Sequence, residues 1–142
     1  MTTVRRVLEQ KSPNLWTIAP GATVFDAIAK MAEKNVGSLV VMDGEKLIGI
    51  ITERLYARRV ALKGKTSPNT LVEDIMSRNV ICVRPEQSVD ECMALMTGKR
   101  FRYLAVLEGG KVLGIVSIGD LVKSIIDDQK FVIDQLAHYV QG

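Results

Sequence analysis

The chain has 142 residues, 47 % of them apolar and 25 % charged, with a formal net charge of +3. Those proportions describe one compact unit with a proper core and argue against disorder. They also exclude several classes. The charge is too small to indicate nucleic acid alone, two cysteines make neither a disulfide framework nor a metal quartet, and no apolar run could span a bilayer.

Met1-Thr-Thr-Val-Arg-Arg-Val-Leu8 breaks into charge at once, which predicts no secretory leader and a reduced, cytoplasmic setting. A short helix is expected over Val4–Gln10, then a strand from Thr17 into Pro20. Thr23-Val-Phe-Asp26 reads as a capping box, in which the hydroxyl caps the helix and the acid reaches back. Val24, Ala27, Ile28 and Met31 then form the apolar stripe of a helix lying on a sheet. A hairpin follows, Ser38–Met42 and Lys46–Ile51 about the turn Asp43-Gly44, feeding a helix over Glu53–Lys63. Gly64–Asn69 is the one stretch with linker composition.

The same sentence is then spoken again. A short helix, Val72–Met76, precedes a strand from Ile81 into Pro85 and a second capping box, Ser88-Val-Asp-Glu91. The stripe Val89, Cys92, Met93 and Met96 leads to the hairpin Tyr103–Leu107 and Lys111–Val116 about Glu108-Gly109-Gly110. A helix runs from Leu121 onward. Pro20 and Pro85, Val24 and Val89, Met31 and Met96, Leu39 and Leu104, Lys46 and Lys111, and Gly49 and Gly114 are all offset by 65 residues. Each copy is a β-α-β-β-α unit, and two copies are expected to bury each other's open faces, with ligands in the cleft between them. The fold class is therefore α/β in the α+β sense, with small mixed sheets flanked by helices. Residues 4–65 form repeat 1, 66–71 a linker, 72–128 repeat 2, and 129–142 a helical tail. Phe131, Leu136, Tyr139 and either Ile133 or Asp134 give that tail an apolar stripe for the core or a second subunit.

Catalysis is poorly served, and no enzyme is expected. His138 is the only histidine; Asp134 stands at i−4, but one histidine and one acid do not complete a metal site. Cys92 lies on the apolar stripe, Cys82 lies in a strand, and both read as structural. No nucleophile elbow, phosphate-binding loop or zinc-protease helix is present.

The informative position is the passage from hairpin to second helix: Gly49-Ile-Ile-Thr-Glu-Arg-Leu55 and Gly114-Ile-Val-Ser-Ile-Gly-Asp120. Thr52 and Ser117 suit helix caps, as does an acid three residues on. A carboxylate there could equally accept both hydroxyls of a ribose, with nearby N–H groups and a hydroxyl suiting a phosphate. On chemistry alone, capping and nucleoside binding fit these residues equally well.

These segments, Gly114–Lys123 above all, resemble the tandem cystathionine-β-synthase (CBS) domain pair, or Bateman module, over about Val4 to Ile126. The resemblance implies two repeats packed pseudo-symmetrically, a regulatory role, an adenine-nucleotide ligand and a homodimer signalling to a separate effector protein. AMP is the preferred ligand, with NAD and ATP as further candidates. Carried over by position, the main cleft takes Ser117, Gly119 and Asp120 for ribose and phosphate, Asn14 and Trp16 at the adenine edge, Val36 and Gly37 about the base, and Arg102 and Tyr103 towards the phosphate. The second cleft takes Ser38, Thr52, Arg54, Asn79, Ile81 and Phe101, but Leu55 stands where the family usually has aspartate. A leucine cannot accept hydrogen bonds from a ribose, so unequal sites are expected. The competing reading is a ligand-independent interaction or dimerisation module. Binding of nucleic acid through Lys99–Arg102 or Arg54–Arg59 lacks an aromatic platform and ranks below both, and no membrane association is expected.

Overall fold

The computed structural model describes residues 2–11, 15–99 and 101–141. In chain order the elements are α1 Val4–Gln10, β1 Thr17–Ile18, α2 Val24–Lys34, β2 Ser38–Asp43, β3 Lys46–Thr52, α3 Glu53–Arg59, α4 Val72–Ile75, β4 Ile81–Val83, α5 Val89–Lys99, β5 Tyr103–Glu108, β6 Lys111–Ser117 and α6 Ile118–Gln141. They divide into two compact units, residues 15–80 and residues 1–14 with 81–142.

Each unit holds one three-stranded sheet, β1-β2-β3 or β4-β5-β6, with its first pair parallel and its second antiparallel. The 65-residue offset is kept down to the irregularities: both hairpins shift register one residue before the turn, at Val41/Met42 and at Val106/Leu107. Gly109 and Gly110 close the second hairpin with φ of 59° and 80°, a conformation an L side chain resists.

The core of the first unit gathers Val24, Ala27 and Met31 from α2 under Leu39, Val41 and Ile51 of the sheet. The second gathers Val89, Cys92 and Met96 from α5 under Leu104, Val106 and Val116. Full burial of one such side chain contributes about 1.5–3 kcal/mol. The helix ahead of each copy belongs to the unit of the other copy and packs in its core. Val4, Val7 and Leu8 of α1 join the second core, while Val72 and Ile75 of α4 join the first. The backbone explains the exchange. Val4 N–H donates to Gln87 O at 2.9 Å and Arg5 N–H to Pro85 O at 3.0 Å, and Val72 N–H donates to Ala22 O at 2.9 Å and Glu73 N–H to Pro20 O at 3.1 Å.

Three local details differ from the sequence expectation. The Thr23 hydroxyl accepts from Asp26 N–H at 3.1 Å, but the Asp26 carboxylate makes no return bond among the described residues. At Ser88 the box does close, with Glu91 N–H on Ser88 Oγ at 3.1 Å and Ser88 N–H on Glu91 Oε1 at 3.5 Å. The helix foreseen to Lys63 ends at Arg59, where buried Val60 leaves helical geometry and a tighter turn, Ala61–Lys63, follows. Cys92 is fully buried as expected, whereas Cys82 faces outward from β4.

Candidate functional site

Each unit presents the same three-part edge, formed by the β-α passages of one repeat. In the second unit Tyr103 pairs with Ser117 across the hairpin, and Ile118 N–H donates to Arg102 O at 2.9 Å, so β5 and the start of α6 are stitched together. In the first unit Ser38 pairs with Thr52, and Glu53 N–H donates to Gly37 O at 3.1 Å. Asn35 sets up that edge by ending α2 in the left-handed region at φ 54°, which turns Val36 and Gly37 towards β2.

The helix starts are where the two edges part. The Ser117 hydroxyl accepts from Asp120 N–H at 3.1 Å, and Asp120 Oδ2 accepts from Ser117 N–H at 2.8 Å. This is a closed capping box, and it fixes the carboxylate at the positive end of a long helix. Thr52 likewise accepts from Leu55 N–H at 3.0 Å, but Leu55 returns nothing. Asp120 has a second partner that sequence reasoning missed. Lys11 Nζ lies 2.7 Å from Asp120 Oδ2 and 3.0 Å from Ile115 O, in a pair only 32 % and 26 % exposed. The signal was absent because α1 folds onto the unit of the second repeat, more than a hundred residues away in sequence. A cavity of about 280 Å³ opens beside this pair, lined by Val7, Gln10, Lys123, Ser124 and Asp127 as well.

Of the other expected residues, Gly119 is exposed at the start of α6 and Arg102 is exposed with no ion pair among the described residues. Ile81 and Phe101 are half-buried on the same unit's edge. On the first unit, Arg54 and Asn79 are exposed and Thr52 is buried. Trp16 accepts at its carbonyl from Val40 N–H at 3.1 Å. Its ring lies under Lys34 Nζ at 4.5 Å, and its indole Nε1 is buried with no hydrogen-bond partner among the described residues. Asn14 lies outside the described residues.

Among the described residues no cluster of histidine, cysteine and acid could hold a metal ion, and no helix is long and apolar enough to cross a membrane. Burial pushes the Cys92 thiol up to about 11, aided by Glu91, and also raises Cys82, so neither is an activated nucleophile.

Comparison with known proteins agrees with this fold. The family model described as "CBS domain" matches residues 4–60 and 72–127. A CBS-domain protein of known structure from Burkholderia ambifaria MC40-6 is 52 % identical, with a TM-score of 0.84 over 90 % of this chain and 96 % of that one. The "CBS domain-containing protein CBSX3, mitochondrial" of Arabidopsis thaliana is 37 % identical over 99 % of this chain and 73 % of its own length. The CBS domain pair of protein MJ0100, solved with 5′-methylthioadenosine and S-adenosyl-L-methionine, is 26 % identical with a TM-score of 0.77, over 90 % of this chain and 98 % of that one.

Proposed function

The chain belongs to the CBS-domain family, with two such domains in tandem, and on that premise we propose that it is a non-catalytic sensor of an adenine nucleotide. The observation that carries the reading is Asp120. It is a capped, partly exposed carboxylate at the start of α6, and its counterpart is Leu55. A vicinal diol presents two donors that one carboxylate can accept. Asp120 therefore takes the ribose, Ser117 and Gly119 lie towards the phosphate, and exposed Arg102 with Tyr103 meets its charge. The adenosine ligands of the MJ0100 pair support this chemistry. Trp16, Val36, Gly37 and Asn14 are assigned to the base by resemblance alone. AMP is the preferred ligand, with NAD and ATP behind it. Ser38, Thr52, Arg54 and Asn79, on the unit that carries Leu55, belong to the weaker site.

The Lys11 pair suggests how binding is sensed. A ribose that claims Asp120 Oδ2 competes with Lys11, which ties the end of α1 to this edge. Ligand and α1 are then coupled, because the ligand favours the state in which Lys11 has let go. The signal passes to a separate effector protein, and the working form is a homodimer. The same ion pair favours a second reading, a ligand-independent interaction module in which Lys11 permanently satisfies Asp120. Calorimetric titration with AMP, ADP, ATP, NAD and S-adenosylmethionine separates the two. A saturable signal at one site per chain supports the sensor, and no heat from any of the five on folded protein supports the interaction module.

A further inference from the structure

Helix α6 is rooted in a core and, apart from a hydrogen bond from Thr2 Oγ1 to Asp128 Oδ2 at 2.6 Å, then runs in the open. Leu121 is fully buried and Ser124 nearly so, whereas every residue from Ile126 to Val140 is exposed. That is about 22 Å of helix at 1.5 Å per residue, a length that is marginal in water without tertiary packing. Yet this stretch carries large apolar side chains in the open. We propose that the face of α6 made by Val122, Ile126, Gln129, Ile133, Leu136 and Val140 pairs, parallel and in register, with the same face of a second copy of this chain.

The spacing of those six positions alternates four and three, the period of a coiled-coil seam. Five of the six are apolar and between 40 and 82 % exposed. Ile126, Ile133 and Val140 fall at one seam position and Val122, Gln129 and Leu136 at the other. β-Branched residues at the first with leucine at the second favour two parallel strands. Gln129 is the polar exception and specifies the register. In a parallel pair it meets its own copy, and two amides can satisfy each other. An antiparallel pair sets it against isoleucine or valine, where a buried amide is left unbonded.

The flanks agree. In the parallel arrangement Lys130 of one copy falls beside Ile125 of the other, so its stem covers apolar surface and its ammonium reaches water. The antiparallel arrangement brings the Lys123–Lys130 edges of both copies together, like charge on like. Asp127, Asp128 and Asp134 outnumber Lys123 and Lys130, which disfavours an anionic lipid surface as the occupant. The root of α6 supplies a formed first turn, so pairing does not start from an unfolded segment.

The inference rests on the homodimer reading and is independent of nucleotide binding. Sedimentation equilibrium of the full chain over a concentration series tests it, with Ile133→Lys/Leu136→Lys as the variant. Both side chains are exposed in a single copy, so the core is untouched and circular dichroism checks that the fold is kept. The expected result is a wild-type dimer and a variant whose self-association is about 100-fold weaker or lost. A dimeric variant with an unchanged constant overturns this inference and leaves the homodimer reading standing, whereas a monomeric wild type overturns both. In a Cys82→Ser background, Gln129→Cys should oxidise to a covalent dimer, and a dimer that fails to cross-link overturns the parallel register. Co-sedimentation of a monomeric protein with phosphatidylcholine–phosphatidylglycerol vesicles overturns the choice of occupant.

Discussion

Replacing Asp120 by alanine removes two things the structure allows to be separated. The first is the cap: Asp120 Oδ2 accepts from Ser117 N–H at 2.8 Å and pairs with Lys11 Nζ at 2.7 Å. Losing the reciprocal cap costs about 1 kcal/mol, and the partly buried ion pair adds about 0.2–1 kcal/mol. Together they lower the melting temperature by roughly 3–8 °C for a chain of this size. The second is the acceptor for the ribose. Hydrogen bonds to a charged group contribute about 1.5–3 kcal/mol, so AMP affinity should fall about 10- to 150-fold. Asp120→Asn keeps an oxygen for the Ser117 N–H and loses the charge. It should melt closer to wild type while still binding about 5- to 10-fold more weakly. Calorimetry and a thermal melt on the same preparations read both effects. Asp120→Ala that is folded and binds AMP within twofold of wild type would refute the assignment.

Lys11→Met removes the competitor for Asp120 and should tighten AMP binding by up to about fivefold, whereas a loss of affinity in the same titration would mean that Lys11 touches the nucleotide. Leu55→Asp supplies the missing carboxylate three residues after Thr52, and calorimetric stoichiometry should rise from one site per chain towards two. Gly49→Ala places a methyl 2.8 Å from Ser77 O and 2.7 Å from Met76 Sδ, where α4 crosses the sheet. Because the carbonyl is backbone and cannot swing away, it should destabilise the protein by about 1–3 kcal/mol in denaturant. For Cys92 the folded value of about 11 lies above that of the unfolded thiol, so its contribution is complete below about pH 9. Stability should fall as pH rises from 9 towards 11, by at most about 1.4 kcal/mol per unit, and Cys92→Ala should flatten that decline. In a thiol titration at pH 8, Cys82 should react in the native state and Cys92 only on unfolding.

Much of this fold is legible in the sequence because its determinants are local. The two hairpins, the helix stripes through Met31 and Met96, and the hydroxyl caps at Thr52 and Ser117 all declare themselves within a dozen residues. The duplication doubles each signal. What local reasoning misses is the exchange of α1 and α4, which depends on backbone bonds such as Val4 N–H to Gln87 O between distant segments. Lys11 was invisible for the same cause. A lone lysine after a short helix carries no mark of the aspartate it will meet. The inequality of the two helix starts, by contrast, needed only the comparison of Asp120 with Leu55 at the fixed offset.

A crystal structure of the chain grown with AMP tests the central claim most directly. The account predicts ribose hydroxyls within hydrogen-bond distance of the Asp120 carboxylate, Lys11 withdrawn from Oδ2, and no nucleotide at Leu55. Nucleotide at Leu55 with Asp120 still paired to Lys11 would contradict it.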